Sequence, residues 1–261
     1  MFARTNTIVA LCVTALLLGA ALPAAADEAL DKAFDALKTY DWGQDRNALK
    51  PIDDAVAASH GDAAARADLE GKLAAVLDGD APQCAKDFIC RKLSLIGTAK
   101  SVPALAKLLT DAKLSDMGRY ALERMPCDEA VQAMRDALPK AGGLVKVGVI
   151  GSLGARRDAQ SVKALTALLG DSDQQIAAAA VAALGAISTP EASKALQGFQ
   201  AEAPDGLKLA VADACLACAE QLLADSKKAD AVAIYKALST GDQRKHVKIA
   251  AMRGMLAAAK K

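Results

Sequence analysis

The chain has 261 residues, 32 Lys and Arg against 31 Asp and Glu, and only 3% aromatic side chains. The near-neutral balance excludes the basic excess typical of nucleic-acid binders, so no nucleic-acid partner is expected. The chain also lacks the β-branched and aromatic runs that strands prefer. Ala and Leu dominate, which favours helices packed closely through small side chains.

Residues 1–26 read as a secretory signal peptide. Arg4 is the only charge before Asp27, and Ile8 to Leu22 is an apolar run broken only by Thr14 and Gly19. Pro23 then precedes Ala24-Ala25-Ala26, a small-x-small cleavage pattern. The run is shorter than the ~20 apolar residues of a membrane helix. Cleavage is expected after Ala26, which places the mature chain in the periplasm or outside the cell. Removing Arg4 with the leader leaves 31 basic and 31 acidic residues. No later stretch is apolar enough for stable membrane insertion.

Residues 27–84 read as an N-terminal helical cap. Leu30, Phe34 and Leu37 recur at helical spacing within Glu28–Tyr40. Asn47–Ser59 and Ala63–Leu77 predict an antiparallel pair broken at His60-Gly61. Ahead of that pair, Tyr40-Asp41-Trp42-Gly43 holds the only Trp, which is expected to pin a turn.

Residues 85–261 repeat. One leucine anchors each phrase: Leu93, Leu122, Leu153, Leu184, Leu216 and Leu256, separated by 29, 31, 31, 32 and 40 residues. A period near thirty predicts a stack of supersecondary units. Upstream of the anchor, Val145, Val149 and Leu153 share one helical face, as do Ile176, Ala180 and Leu184. A helix start follows each break. Thr189-Pro190-Glu191 is the clearest, with Thr as cap and Pro in the first turn. Asp158 and Thr98 occupy the matching slot in other repeats; Cys127 holds it too, where Asp128 is the better cap.

The second helices carry their own stripes: Val102, Leu105, Leu108; Val131, Met134, Ala137; Val162, Leu165, Leu168; Ser193, Leu196, Phe199. A single pair cannot hide both stripes, so neighbouring pairs must cover them.

VKVGVIGSLGARRDAQSVKALTALLGDSD, followed by QQIAAAAVAALGAISTPEASKAL, resembles the HEAT-repeat family, in its short Ala-rich form common in secreted bacterial proteins. That resemblance implies an all-α fold, an α-solenoid of stacked antiparallel helix pairs whose second helices line a concave binding face. Residues 206–243 depart from the pattern: the stretch near Ala219–Asp225 reads either as a long linker or as the extension of a helix.

Chemistry-bearing residues are few. Cys215-Leu-Ala-Cys218 lacks the His of a haem attachment and sits mid-helix, not at the helix start that stabilises a thiolate. These are expected to be buried thiols used as small apolar side chains. Cys84, Cys90 and Cys127 bring the mature count to five, an odd number that leaves at least one thiol free. With only His60 and His246, neither at ligand spacing from the cysteine pair, no metal site is expected. Ser59-His60-Gly61-Asp62 reads as a loop, because adjacent residues cannot build a catalytic triad. No phosphate-binding loop or hydrolase motif is present, so neither a cofactor nor a catalytic residue is expected.

The candidate partner-binding residues are Arg119, Arg124, Arg156 and Arg157, which recur near one edge of the stack. On the second helices, Lys107, Arg135, Lys163 and Lys194 fall on polar sides. The expected role is a non-catalytic extracytoplasmic scaffold for a protein or peptide. The alternative is an accessory subunit of a secreted enzyme or electron-transfer complex.

The register makes one mutational prediction. Leu153→Asp buries an unpaired charge and should cost several kcal/mol. Arg157→Ala should change stability by only ~0.5 kcal/mol. Urea denaturation of the two variants checks the inward face; equal effects would mean it is misassigned.

Overall fold

The structure, a computed structural model, describes residues 26–260. The leader expected over residues 1–26 lies, up to residue 25, outside the described residues. The described chain is helical, with no strand among the described residues. Contacts divide it into two compact units, one ending at Ala104 and the other beginning at Leu105.

In the first unit, α1 covers residues 26–37 and buries Ala33, Phe34 and Leu37. A turn follows, in which Gly43 takes a φ of +83° that favours a residue without a Cβ. Asp45 accepts from Asn47 N (2.9 Å) and caps a single 3-10 turn, Arg46–Leu49. This turn leads into α2 (Lys50–Ala58), which buries Ile52 and Val56. The break at His60-Gly61 is real: Gly61 has φ +87°, and Asp62 caps α3 (Ala63–Leu77) through Ala64 N and Ala65 N, both at 3.0 Å. Next, α4 (Gln83–Ile96) buries Phe88, Ile89, Leu93 and Ile96. Trp42 does not pin its turn. It is 91% exposed. The turn is closed instead by Asp41, whose carboxylate accepts from Trp42 N and whose own N–H donates to Gln44.

Thr98 was expected to cap the helix after α4. Its Oγ1 does accept from Lys100 N (3.3 Å), and the turn is held further by the buried carboxylate of Glu70 on α3. That carboxylate accepts from Thr98 N (2.6 Å), Ser101 N (3.2 Å) and Thr98 Oγ1. The short α5 (Val102–Ala106) follows, and the division between the units falls within it.

In the second unit the helices are α6 (Ser115–Leu122), α7 (Asp128–Ala137), α8 (Gly143–Ala155), α9 (Val162–Ala167), α10 (Gln174–Ile187) and α11 (Pro190–Phe199). They are followed by α12 (Asp205–Ala224), α13 (Lys228–Thr240) and α14 (Lys245–Lys260). They pack in sequential pairs, and the first helices of neighbouring pairs stack, α6 on α8 on α10 on α12. Most members of the predicted stripes point inward: Leu122, Leu153, Leu184, Met134, Leu165 and Leu196 are fully buried, whereas Val145, Leu168 and Phe199 are only half-buried and Leu169, next to Leu168, is buried. Thr189 caps α11 by accepting from Ala192 N (3.1 Å). Cys127 precedes α7 without a side-chain cap, and the acidic first turn of Asp128 and Glu129 faces the positive helix end instead.

The last two anchors are corrected. Leu216 is half-buried and Leu256 is 65% exposed. The 31-residue period carries Leu153 to Leu184 to Cys215, and Cys215 is fully buried. Leu216 matches the anchor by residue type but lies one residue past the slot. The stretch at Ala219 is indeed a longer helix, since α12 runs 20 residues.

The Leu-Gly phrase repeats because the glycine is where helices touch. A Cβ on Gly154 would lie 2.8 Å from Ala183 Cα, and one on Gly185 would lie 2.9 Å from Ala214 Cβ. Any larger side chain there would separate α8 from α10, or α10 from α12. Gly151, one turn earlier on α8, meets nothing within 4 Å. Gly154→Leu is therefore expected to destabilise the chain by about 1–3 kcal/mol through overpacking. Gly151→Ala should stabilise it by about 0.5–1 kcal/mol, as Gly-to-Ala does in an open helix interior. Urea midpoints of the two variants should move in opposite directions.

Candidate functional site

The four arginines of the predicted edge lie around the ends of α6 and α8, in two different situations. Arg119 projects from α6 towards α8 with its side chain 17% exposed. Its Nη1 donates to Ser152 Oγ (3.1 Å), and its guanidinium pairs with Asp116 and sits 3.8 Å from Glu123 Oε1. Ser152 is itself buried and donates to Glu123 Oε1 (2.6 Å). The guanidinium fits because Gly148 faces it: a Cβ there would come within 2.6 Å. Arg156 donates through Nη1 to Met125 O (2.6 Å) and Glu123 O (3.2 Å), carbonyls at the end of α6. Arg119 and Arg156 thus tie α6 to α8.

Arg124 and Arg157 are exposed. Arg124 lies 3.8 Å from the centroid of the Tyr120 ring and donates to Tyr120 O (2.8 Å). Arg157 has φ +52° and closes α8, where Asp158 N donates to Leu153 O (3.1 Å) in a left-handed helix end. Ser188, 31 residues on, closes α10 with φ +55°. Arg157 and Ser188 rim an open groove of about 450 Å³, with Glu220 and Gln221 of α12 opposite.

On the second-helix side, Arg135 is committed within the fold. Its Nη1 lies 2.7 Å from Asp158 Oδ1, and that carboxylate, only 8% exposed, also accepts from Ser161 Oγ. Asp158 therefore works as a tie and gives no side-chain cap to the following turn. Lys107 is exposed next to α5. Lys163 and Lys194 remain at the surface, on α9 and α11. With Glu191, Thr166, Val162 and Ala195 they line a groove of about 580 Å³ between those helices. Its lining is mostly apolar, with Lys163, Lys194 and Glu191 as its charged side chains.

The cysteines carry no redox or metal arrangement among the described residues. Cys215 and Cys218 occupy the slots that Leu184 and Ile187 fill one repeat earlier, and both are fully buried. Cys218 Sγ lies 3.8 Å from Leu184 O and from Gly185 O. Burial pushes the Cys215 and Cys90 thiols up to about 12 and the Cys218 thiol up to about 11. Cys84 and Cys127 are half-buried. His60 and His246 are exposed, His246 near the start of α14.

Residues 132–217 match the family of HEAT repeats. No curated protein matches the chain. Among solved structures, one engineered protein is 22% identical, with 80% of this chain and 96% of that chain covered and a TM-score of 0.39. A second engineered protein is 20% identical over 88% of this chain and 67% of that one, with a TM-score of 0.40. Human deoxyhypusine hydroxylase in complex with glycerol is 15% identical over 92% of this chain and 99% of that one, with a TM-score of 0.38.

A thiolate is the reactive form of cysteine, so burial predicts how the five thiols respond. In native protein at neutral pH, a thiol reagent should label Cys84 and Cys127 and leave Cys90, Cys215 and Cys218 untouched. In denaturant without reductant all five of these described thiols should label, as mass spectrometry of the labelled chain would show. Thiols that appear only after reduction would contradict the assignment.

Proposed function

We propose, from the HEAT repeats that residues 132–217 carry, that the chain is a non-catalytic extracytoplasmic scaffold that binds a protein or peptide. The groove between α9 and α11 carries this reading. It is formed by two consecutive second helices, its lining is mostly apolar, and Lys163 and Lys194 stand free on its rim beside Glu191. A bound segment would lay apolar side chains on Val162 and Ala195 and place a carboxylate near the two ammonium groups. Arg124 and Arg157 extend the accessible cationic positions of the same unit. The leader-like residues 1–26 support export, and the absence of any catalytic motif in the sequence supports a binding role.

The interactions of the other polar groups point the same way. Arg119, Arg156, Arg135, Glu123 and Asp158 are spent on holding helix ends together. A scaffold needs a firm frame with a few exposed contacts, and these residues supply the frame.

The test is affinity capture from the extracytoplasmic fraction with the tagged chain as bait. A stoichiometric protein partner should be retained by the parent chain. Lys163→Glu/Lys194→Glu should weaken its capture by about tenfold or more, the scale of reversing charge at a complementary rim, while the melting temperature stays unchanged. Capture that is insensitive to both lysines would place the binding face elsewhere. Catalytic turnover by the isolated chain would overturn the scaffold reading.

A further inference from the structure

Helix α14 is packed on one side and unpartnered on the other. Val247, Ala251 and Ala258 are buried, whereas Ile249 is 39% exposed, Met252 49% and Leu256 65%. Steps of three and four put these three side chains on one outward face. Around them the charge is of one sign. Arg244, Lys245, Lys248, Arg253 and Lys260 lie between residues 243 and 260, a stretch without a single Asp or Glu. None of the five is engaged in an ion pair with a described residue. On the helical wheel Lys245 and Lys260 bracket the apolar face at its two ends, and Arg253 and Lys248 flank it on either side.

Three occupants compete for such a face. A second copy of α14 would bring like charges together and is disfavoured by their repulsion. A discrete acidic groove on a protein would need carboxylates matched to cations spread over both flanks and both ends. A laterally continuous anionic surface meets the four cations of α14 without any register. Aliphatic side chains bordered by Lys and Arg are also the composition that seats a helix in the boundary between headgroups and acyl chains, with the long cationic stems reaching back to the phosphates.

We propose that α14 is a peripheral membrane-docking helix that lies lengthwise on an anionic lipid bilayer. Ile249, Met252 and Leu256 enter the acyl boundary, and Lys245, Lys248, Arg253 and Lys260 contact lipid phosphates. This is adsorption without spanning; no helix among the described residues is long and apolar enough to cross a membrane. The docking uses the last helix of the second unit and leaves the α9–α11 groove open.

The experiment is cosedimentation of the full chain with vesicles of mixed phosphatidylglycerol and phosphatidylcholine, against vesicles of phosphatidylcholine alone. The apolar run at residues 8–22 is common to every variant, so differences between variants belong to α14. The parent should bind the anionic vesicles, and high salt should release it, as screening shortens the reach of charge. Lys248→Glu/Arg253→Glu should lower the partition onto anionic vesicles by about tenfold or more. Met252→Ser/Leu256→Ser, which keeps the charge, should lower it as well. Both pairs are substitutions on the solvent side, and unchanged melting temperatures would verify folding. Parent-like binding to anionic vesicles by both variants overturns the proposal. No binding to anionic vesicles overturns it too, and leaves the face to an acidic protein groove.

Discussion

The second unit depends on a contact that a side chain would destroy. Gly154 lies against Ala183 and Gly185 against Ala214, close enough that an added Cβ would approach backbone atoms to about 3 Å. Helices that meet through Leu stand 8–10 Å apart; those meeting through Gly and Ala come nearer, so the flanking side chains interlock more deeply. Leu153 and Leu184 sit one residue before those contacts and are fully buried because the backbones are near. A fully buried leucine contributes about 1.5–3 kcal/mol, and that gain requires the neighbouring glycine. Sequence and packing are thus linked by a two-residue phrase: Leu supplies the apolar area and Gly the proximity that covers it.

Helices that stack this closely leave their ends to be satisfied. Four carbonyls and four amides per helix lack intrahelical partners, and the chain meets the need with a side chain sent from a neighbouring element. Glu70 of α3 accepts the amides of Thr98 and Ser101. Arg156 donates to the carbonyls that close α6. Asp158, held by Arg135, fastens the turn between α8 and α9 through Ser161. Each tie joins segments 23 to 33 residues apart, about one repeat. The apolar stripes make neighbouring repeats adhere, and these ties set the register in which they do so.

This division of labour determines what a single sequence discloses. Helical stripes, the Thr189-Pro190 start and the Leu-Gly phrase are local patterns with a fixed period, and they are legible. Register was lost where residue type and period conflicted: a leucine at 216 stands beside the true slot at Cys215, because the cysteine fills it with a smaller apolar group. The arginines were legible as an edge, but their partners were not. Arg156 reaches main-chain carbonyls, which every residue carries, and Arg119 reaches a serine 33 residues away across a gap that Gly148 opens. Only the fold shows that Arg119 and Arg156 serve the frame while Arg124 and Arg157 face outward. The groove between α9 and α11 was half-legible: Lys163 and Lys194 lie at the same phase of the repeat, yet the cavity between them depends on how α9 and α11 pack.

The departure of the last helices from the pattern has a physical cause. After α10, the Leu-Gly phrase is gone: Cys215 takes the Leu slot, and Leu216, half-buried, stands where Gly185 stood. A close Gly contact of the α8–α10 kind is therefore unavailable at that position on α12. The chain compensates with a longer helix, 20 residues in α12, and with a different close contact. Gly254 of α14 faces the ring of Tyr235 on α13, which is buried to 2% exposure. An aromatic ring laid over a glycine fills the space that two small residues fill elsewhere, and it anchors α14 by the face bearing Val247, Ala251 and Ala258. The cost of that anchoring is orientation. With Gly254 turned to Tyr235, Leu256 cannot also turn inward, so the leucine that resembles a sixth anchor in the sequence is held in solvent by that contact.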